Sequence, residues 1–471
     1  MKKVFVFCIG GTGIRVMKSI IMLMAGGMST NGYMVVPIIL DPHLDLEEKR
    51  NLQSLIEKYE DIYKKSISNG SNTQSSLKGF FNSEVISLSE LCGQTNDTYQ
   101  PIGSEQSFRS YINETNLGAD DINKYLIETL FSTKNLNNKL SVGFKGNPNV
   151  GTTVLGNIIE GATWFNDFKG CCDTGDRVFI ISSIFGGTGA SGYPLLEKKI
   201  RQSNDRPKVK DAVMGAVTVL PYYGLQDPVA NNSDIDSANF YTKTKAALAY
   251  YENNVESNYL YYIGEQSLKT IYENDETKQD DKTNFIELVA ASALFDFLTR
   301  GKPEKQQYMS RAIADDKETL DLTSLGNGYA DIVKSVADGM LLKHFAFSIP
   351  DEKYFPLKNN RGFDDSFYND SAYKSLQAFM TIYEQWYKEL AQNNRHFAPL
   401  HIGSPTNMSG WVIGQTLEAK NDSYYLLEMI KASNRAKKDE HSNKFRFFLE
   451  FAYEAINSYT NKIKDDGNSR S

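Results

Sequence analysis

The run FIISSIFGGTGASGYPLLEKKI, residues 179–200, constrains the fold more than any other stretch of the chain. An apolar strand runs directly into Gly186-Gly187-Thr188-Gly189, and a helix is expected to open near Ser191. Glycines let a backbone approach a phosphate closely, and a helix start offers unpaired N–H groups and the positive end of the helix dipole. Any tight strand-to-helix turn favours glycine, so one such loop says little. The chain opens with a second unit of the same kind, KKVFVFCIGGTGIRVMKSIIML. Two loops of this type point to a phosphate-bearing ligand, a nucleotide above all. At Gly187 and Gly189 a branched side chain is expected to fill the phosphate's space and to oppose a positive backbone φ.

A chain of 471 residues buries a large core and makes two domains, or one domain with a sizeable insertion. The net charge of −7 argues against general affinity for nucleic acid or an anionic membrane. The first apolar run is broken by Gly10 and Gly11, so it reads neither as a signal peptide nor as a membrane span. Cys8, Cys92, Cys171 and Cys172 include no C-x-x-C. Neither a disulfide framework nor a zinc site is expected from them, and a reducing cytoplasm fits best. Five scattered histidines form no metal-ligand motif, so any metal is expected to arrive as Mg2+ with the nucleotide.

Strand-like and helical runs alternate over the first 300 residues. Val4–Ile9, Tyr33–Leu40, Arg177–Ile184, Ala212–Leu220 and Tyr259–Ile263 read as strands, and Ile14–Ala25, Ser191–Arg201 and Phe285–Thr299 as helices. Such alternation predicts an α/β fold, a mostly parallel Rossmann-like sheet with helices on both faces. Between about 45 and 140 the composition turns polar, with helical stretches near Glu47–Lys65 and Asp120–Phe131. This segment is expected to be a surface insertion that docks partners and takes no part in ligand binding. Residues 301–463 read as a largely helical α+β C-terminal domain, and 464–471 as a disordered tail.

The order of motifs narrows the function. A strand with GGTG is followed by a strand ending in Asp41, then GFKGNPNVG, a strand with FGGTGASGYP, and a strand VTVLPYYG. This series resembles the tubulin/FtsZ superfamily of GTP-binding proteins, and within it bacterial tubulin-like proteins with large insertions. GNPNVG is similar to that family's glycine–Asn-Pro–Gly loop, GGTGASGYP to its GGTGTGAAP, and VTVLPYYG to its VTxPF strand end. The resemblance covers residues 1–300 with the insertion set aside.

The resemblance implies roles for named residues. Gly10, Gly11, Thr12 and Gly13 match the first phosphate loop, with Arg15 placed to pair with phosphate. Gly146, Asn147 and Pro148 match the loop that closes on the terminal phosphate, and Gly186, Gly187, Thr188 and Gly189 the main phosphate cradle. Asp41 is either a turn residue before Pro42 or a ribose or Mg2+ contact. Glu265 and Asn284 are candidates for reading the base, since guanine offers two adjacent donors and one acceptor. Asn284 also suits a helix N-cap, with Glu287 completing a capping box.

Two departures stand out. Phe185 replaces the glycine before GGTG and is expected to narrow the phosphate approach. After the core helix the family carries G-x-x-N-x-D, which orients the attacking water in the next subunit's site. Here GKPEKQQYMSRAIADDKETLDLTSLGN lacks that pattern, leaving Asp315, Asp316 and Asp321 as candidates by proximity and no catalytic residue assigned. The leading expectation is a GTP- and GDP-binding protein that assembles head to tail and hydrolyses slowly if at all. A non-polymerising guanine-nucleotide regulator or scaffold is the alternative. An NAD-dependent oxidoreductase is a third reading; it needs glycine or alanine where Val16 stands, and it leaves GNPNVG and the second GGTG unexplained.

Overall fold

The computed structural model describes residues 1–43, 47–67, 79–93, 98–99, 105–144, 146–159, 161–225, 237–265, 270–272, 282–313, 319–320, 330–348, 363–393, 396–400, 422–435 and 443–468. Strand β1 (Lys2–Ile9) leads into helix α1 (Gly10–Ala25), β2 (Tyr33–Leu40), α2 (Glu47–Ser66) and the short β3 (Thr98–Tyr99). Then come α3 (Pro148–Ile159), β4 (Arg177–Ser183), α4 (Gly187–Arg201), β5 (Val213–Val219), α5 (Phe240–Asn254) and β6 (Tyr259–Glu265). The core helix α6 (Phe285–Thr299), β7 (Gln307–Ile313), α7 (Ala330–Ser348), α8 (Ser371–Gln392) and α9 (Lys444–Asn468) complete the main elements. The seven strands form one parallel sheet in the order β3-β2-β1-β4-β5-β6-β7.

The α/β expectation holds. Register aligns Ile9 with Leu40, Cys8 with Ile181 and Ser183 with Val219, so the carboxyl ends of the central strands share one rim. The strand order reverses between β1 and β4. In an open parallel sheet that reversal opens a crevice at the carboxyl ends. Both glycine loops leave the sheet there.

Alternate residues of β1 feed two cores, as a strand's period of two requires. Val4, Val6 and Cys8 face α1, α6 and the C-terminal helices, while Phe5, Phe7 and Ile9 face α3, α4 and Phe165–Phe168. Continuous apolar strands are what a sheet covered on both faces needs. Helix α6 is buried nearly all round, sealing one face. Pro194 stands inside α4 and removes the N–H that would meet the Ala190 carbonyl. The Tyr251 hydroxyl of α5 donates to that oxygen instead, at 3.2 Å.

Several expectations need correction. Helices α1 and α4 start at Gly10 and Gly187, inside the glycine loops rather than after them. Strands β3 and β7 were not legible, and β7 extends the sheet past residue 300. Within the segment expected to be an insertion, α2 lies in the core: Leu52, Leu55, Ile56, Tyr59 and Ile62 are buried against the cluster that holds α1 and α8. Phe80 and Phe81 join it, and Val85 bridges to Val35 of β2. By contrast, the helix Ile122–Leu130 has no buried residue. Helix α9 continues to Asn468, into the stretch expected to be a tail.

The cysteines also differ from expectation. Cys92 and Cys171 form a disulfide across a sequence separation of 79, because the helix Leu88–Cys92 packs on the helix Thr163–Cys171. Spacing along the chain carries no sign of that meeting. Cys8 and Cys172 are buried free thiols. Among the described residues, no helix is long and apolar enough to cross a membrane.

Candidate functional site

The glycines of the three loops are where they are for space. A Cβ on Gly13 would stand 2.7 Å from the Cys8 carbonyl carbon and 3.0 Å from the Ile181 oxygen. Only glycine lets α1 press onto β1 and β4 there. A Cβ on Gly189 would come within 2.5 Å of the Ser183 oxygen, and one on Gly187 within 3.0 Å of the Asn147 nitrogen and 3.1 Å of the Gly146 nitrogen. Gly10 faces the GGTG loop of α4, its added Cβ 3.4 Å from the Thr188 Cβ. The three loops therefore pack edge to edge. The expected positive φ is absent at Gly187 and Gly189; it occurs at Gly10 (+71°) and Gly146 (+72°), where the chain turns.

Helices α1 and α4 begin without a side-chain cap. Their N-cap residues are Ile9 and Gly186, and neither first turn holds an acid. Elsewhere Ser87, Ser107, Asp121, Ser132, Asn284 and Asp370 cap their helices, while the helix Thr163–Cys171 and α5 also start without a side-chain cap. The first N–H groups of a helix have no intrahelical partner, so two uncapped ends meeting at one crevice offer it several backbone donors. Gly11 and Thr12 lie in the first turn of α1, with Thr12 buried; Thr188 is half-buried in the first turn of α4.

The third loop is tied down from both sides. Pro148 is the first residue of α3, where its missing N–H costs nothing. The Asn147 side chain donates to Asn135 at 2.7 Å, and Lys243 of α5 donates to the Gly146 carbonyl at 2.9 Å. Phe185 turns away from the loops, its ring 4.8 Å from Phe240 and 5.5 Å from Tyr223. It packs in the core among Tyr222, Tyr223 and Phe240.

Arg15, one turn into α1, is buried with its donors engaged by protein groups. Nε donates to Glu287 at 2.7 Å, Nη1 to Glu48 at 2.8 Å and Nη2 to the Tyr222 hydroxyl at 3.1 Å. Burial opposes the charge, but Tyr222, Glu48 and Glu287 outweigh it and hold the guanidinium protonated well above its ordinary range. The other Glu287 oxygen accepts from the Asn284 N–H at 3.0 Å, and Asn284 Oδ1 accepts from Ile286 N at 2.9 Å. That is the capping box expected at the start of α6, and it ties Asn284 to the Arg15 cluster. Glu265 ends β6, with β4 and β5 between it and β1.

Asp41 follows β2 and is buried beside the end of β1. Its Oδ1 accepts from the His43 N–H at 2.7 Å. Burial pushes its carboxyl up to about 6, against the pull of that hydrogen bond and of the Lys49 ammonium. Asp315, Asp316 and Asp321 lie outside the described residues. Among the described residues no cluster of three His, Cys, Asp or Glu side chains suits a metal.

Glu48, Lys49, Tyr222 and Lys243 were not foreseen. Glu48 and Lys49 sit in a polar run whose alternating charges look like a solvated helix face. Tyr222 was visible only as part of VTVLPYYG.

No protein-family model matches the chain, and no curated protein matches it. Among solved structures, CetZ from Methanosaeta thermophila strain DSM 6194 aligns at 14% identity and a TM-score of 0.34, over 72% of this chain. CetZ2 from Haloferax volcanii, described as a GTPgS-bound protofilament, aligns at 12% identity and a TM-score of 0.32, over 64% of this chain. CetZ is of the tubulin/FtsZ superfamily, which the loop motifs resemble. The alignments span 60% of the length of each solved CetZ chain.

Proposed function

We propose that this chain is a tubulin-like guanine-nucleotide-binding protein. One observation carries the reading: three glycine loops meet at the point where the strand order reverses, and two uncapped helix N-termini end there. At Gly187 the absence of a Cβ lets the second phosphate-type loop close on the backbone nitrogens of Gly146 and Asn147, which brings the N–H groups of two loops side by side. Gly10–Gly13, Gly146–Pro148 and Gly186–Gly189 would hold the phosphates, with Mg2+ brought by the nucleotide. When bound, the nucleotide supplies the charged polyphosphate and, in the triphosphate, a hydrolysable terminal group. Base contact is assigned to Asn284 and Glu265. Titration with labelled GTP, ATP and NAD tests the reading; equal affinity for ATP would remove the guanine claim, and preference for NAD would favour the dinucleotide fold. Against NAD, Val16 is fully buried where a dinucleotide site takes a small residue.

Head-to-tail assembly with nucleotide between subunits is the form we infer. The helix Ile122–Leu130, joined through Asn135 to the third loop, exposes Ile122, Tyr125, Leu126 and Leu130 along one face. Exposed Asp120 and Glu128 flank that stripe. The opposite pole, at the amino ends of the strands, exposes Tyr308, with Lys302 and Lys305 and, between them, Glu304 also exposed. An apolar stripe edged with acid thus faces, in a second copy stacked above, an apolar spot flanked by two lysines and one acid. A heterologous contact of this kind makes filaments when its rotation does not close. Sedimentation with a non-hydrolysable GTP analogue tests assembly.

The segment after α6 favours slow turnover. It lacks the family's acidic loop, and its residues Gln307–Ile313 are used as strand β7. The same feature favours the second reading, a non-polymerising regulator, which nucleotide binding without sedimentation would support.

A further inference from the structure

We propose that Lys49 is a polyphosphate-binding residue, a cation delivered to the crevice by helix α2. This rests on the nucleotide reading above. Lys49 is 5% exposed, and its Nζ is buried with no hydrogen-bond partner among the described residues. A buried ammonium without a partner is costly, and buried charges are otherwise paired or bound to a ligand. The charge it senses is Asp41, at the end of β2 and next to the first glycine loop in the sheet. That carboxylate makes no hydrogen bond to it: Lys49 Nζ has no such partner among the described residues, and Asp41 Oδ1 accepts from the His43 N–H. Glu48, the adjacent acid, commits Oε1 to Arg15 at 2.8 Å, and its Oε2, like His43 Nδ1, is buried without a hydrogen-bond partner, so no acceptor among the described residues contacts the ammonium.

The missing partner is therefore an anion, and the crevice beside Gly10–Gly13 is built for one. Lysine suits the task as a compact point charge, whereas Arg15 is locked into protein contacts. The expectation that residues 45–140 take no part in binding is revised here for α2: Glu48 braces the first loop's helix, and Lys49 meets the phosphates.

The test compares wild type, Lys49→Met and Lys49→Arg for binding of GTP, inorganic triphosphate and guanosine, and for melting temperature with and without GTP. In Lys49→Met, GTP and triphosphate affinity should fall about tenfold or more, with guanosine affinity unchanged. Its melting temperature without ligand should hold or rise, because an unpaired buried charge is removed, while the GTP-induced rise shrinks. Lys49→Arg should retain part of the triphosphate affinity. A folded Lys49→Met that binds GTP as wild type does would overturn the proposal while leaving the nucleotide reading intact. A Lys49→Met that melts lower without ligand yet keeps the full GTP-induced rise would show a structural lysine, with the same consequence. If Lys49→Met does not fold, Lys49→Gln takes its place under the same criteria. Wild type that binds neither GTP nor triphosphate would overturn both.

Discussion

Arg15 Nε and Glu287 Oε1 lie 2.7 Å apart in a site closed to solvent, joining the helix of the first glycine loop to the start of the core helix. The pair links two tasks. The same Glu287 carboxylate completes the capping box of α6, so the charge that seats Arg15 also fixes where α6 begins. Removing one member of a buried ion pair leaves the other uncompensated, at a cost of about 3–5 kcal/mol. Arg15→Met and Glu287→Gln should each lower stability by roughly that much. In a double-mutant cycle by urea unfolding, the pair of changes should cost less than the sum. Additive effects would show that the two residues act independently.

Gly187 and Gly189 should respond differently to alanine. At Gly189 the new methyl would meet the Ser183 backbone at 2.5 Å, within the α4–β4 packing, so Gly189→Ala should destabilise the fold by roughly 1–3 kcal/mol. At Gly187 it would meet the Gly146 and Asn147 nitrogens at 3.0–3.1 Å, at the seam between two loops. Gly187→Ala should fold with a near-native melting temperature and lose GTP affinity at least tenfold. Native affinity in the folded Gly187→Ala protein would contradict the cradle.

Much of this arrangement was legible in the chain. Val4–Ile9 and Arg177–Ile184 announce buried parallel strands because they are apolar without alternation, and Asn284 with Glu287 announces the cap of α6. What stayed hidden depended on contact between distant residues. The surface-like composition of α2 masked a narrow buried stripe, Leu52, Leu55, Ile56, Tyr59 and Ile62, at helical spacing. Strand β7, QYMSRAI, mixes charge and polarity because it lies at the sheet's edge, where among the described residues one side has no strand to pair. The Cys92–Cys171 pairing follows from two short helices packing together, which no spacing rule encodes. For Phe185 the sequence gives position in the loop and not direction. Its ring points into the core.

Asp41 should make the protein less stable as pH rises. Its carboxyl is raised to about 6 from 3.8 by burial, so the folded state holds a proton that the unfolded chain has released. Between about pH 4 and 6 stability attributable to this group should therefore fall with pH, by on the order of 3 kcal/mol in full. Asp41→Asn cannot ionise and should lack that slope. Urea unfolding of both proteins at several pH values between 4 and 7.5 measures the difference. Parallel curves would show that Asp41 titrates normally in the folded state.

Substituting the exposed stripe should separate assembly from ligand binding. Ile122, Tyr125, Leu126 and Leu130 are 56–80% exposed, so serine at all four removes little core packing. Each such surface change is expected to alter stability by no more than about 0.5 kcal/mol. The nearest loop residue, Asn147, is held by Asn135 and not by the stripe, so GTP affinity should stay within a few fold. Assembly driven by GTP should fall sharply, because the apolar face proposed to meet the next copy is gone. A charge swap adds a second readout: Glu128→Lys should weaken assembly, and Lys302→Glu with Lys305→Glu should restore part of it if the two poles meet. Sedimentation and light scattering at matched nucleotide saturation follow each variant. Unchanged assembly in the fourfold serine protein would place the subunit contact elsewhere on the loop face. Loss of GTP binding in that same folded protein would instead make the helix part of the pocket.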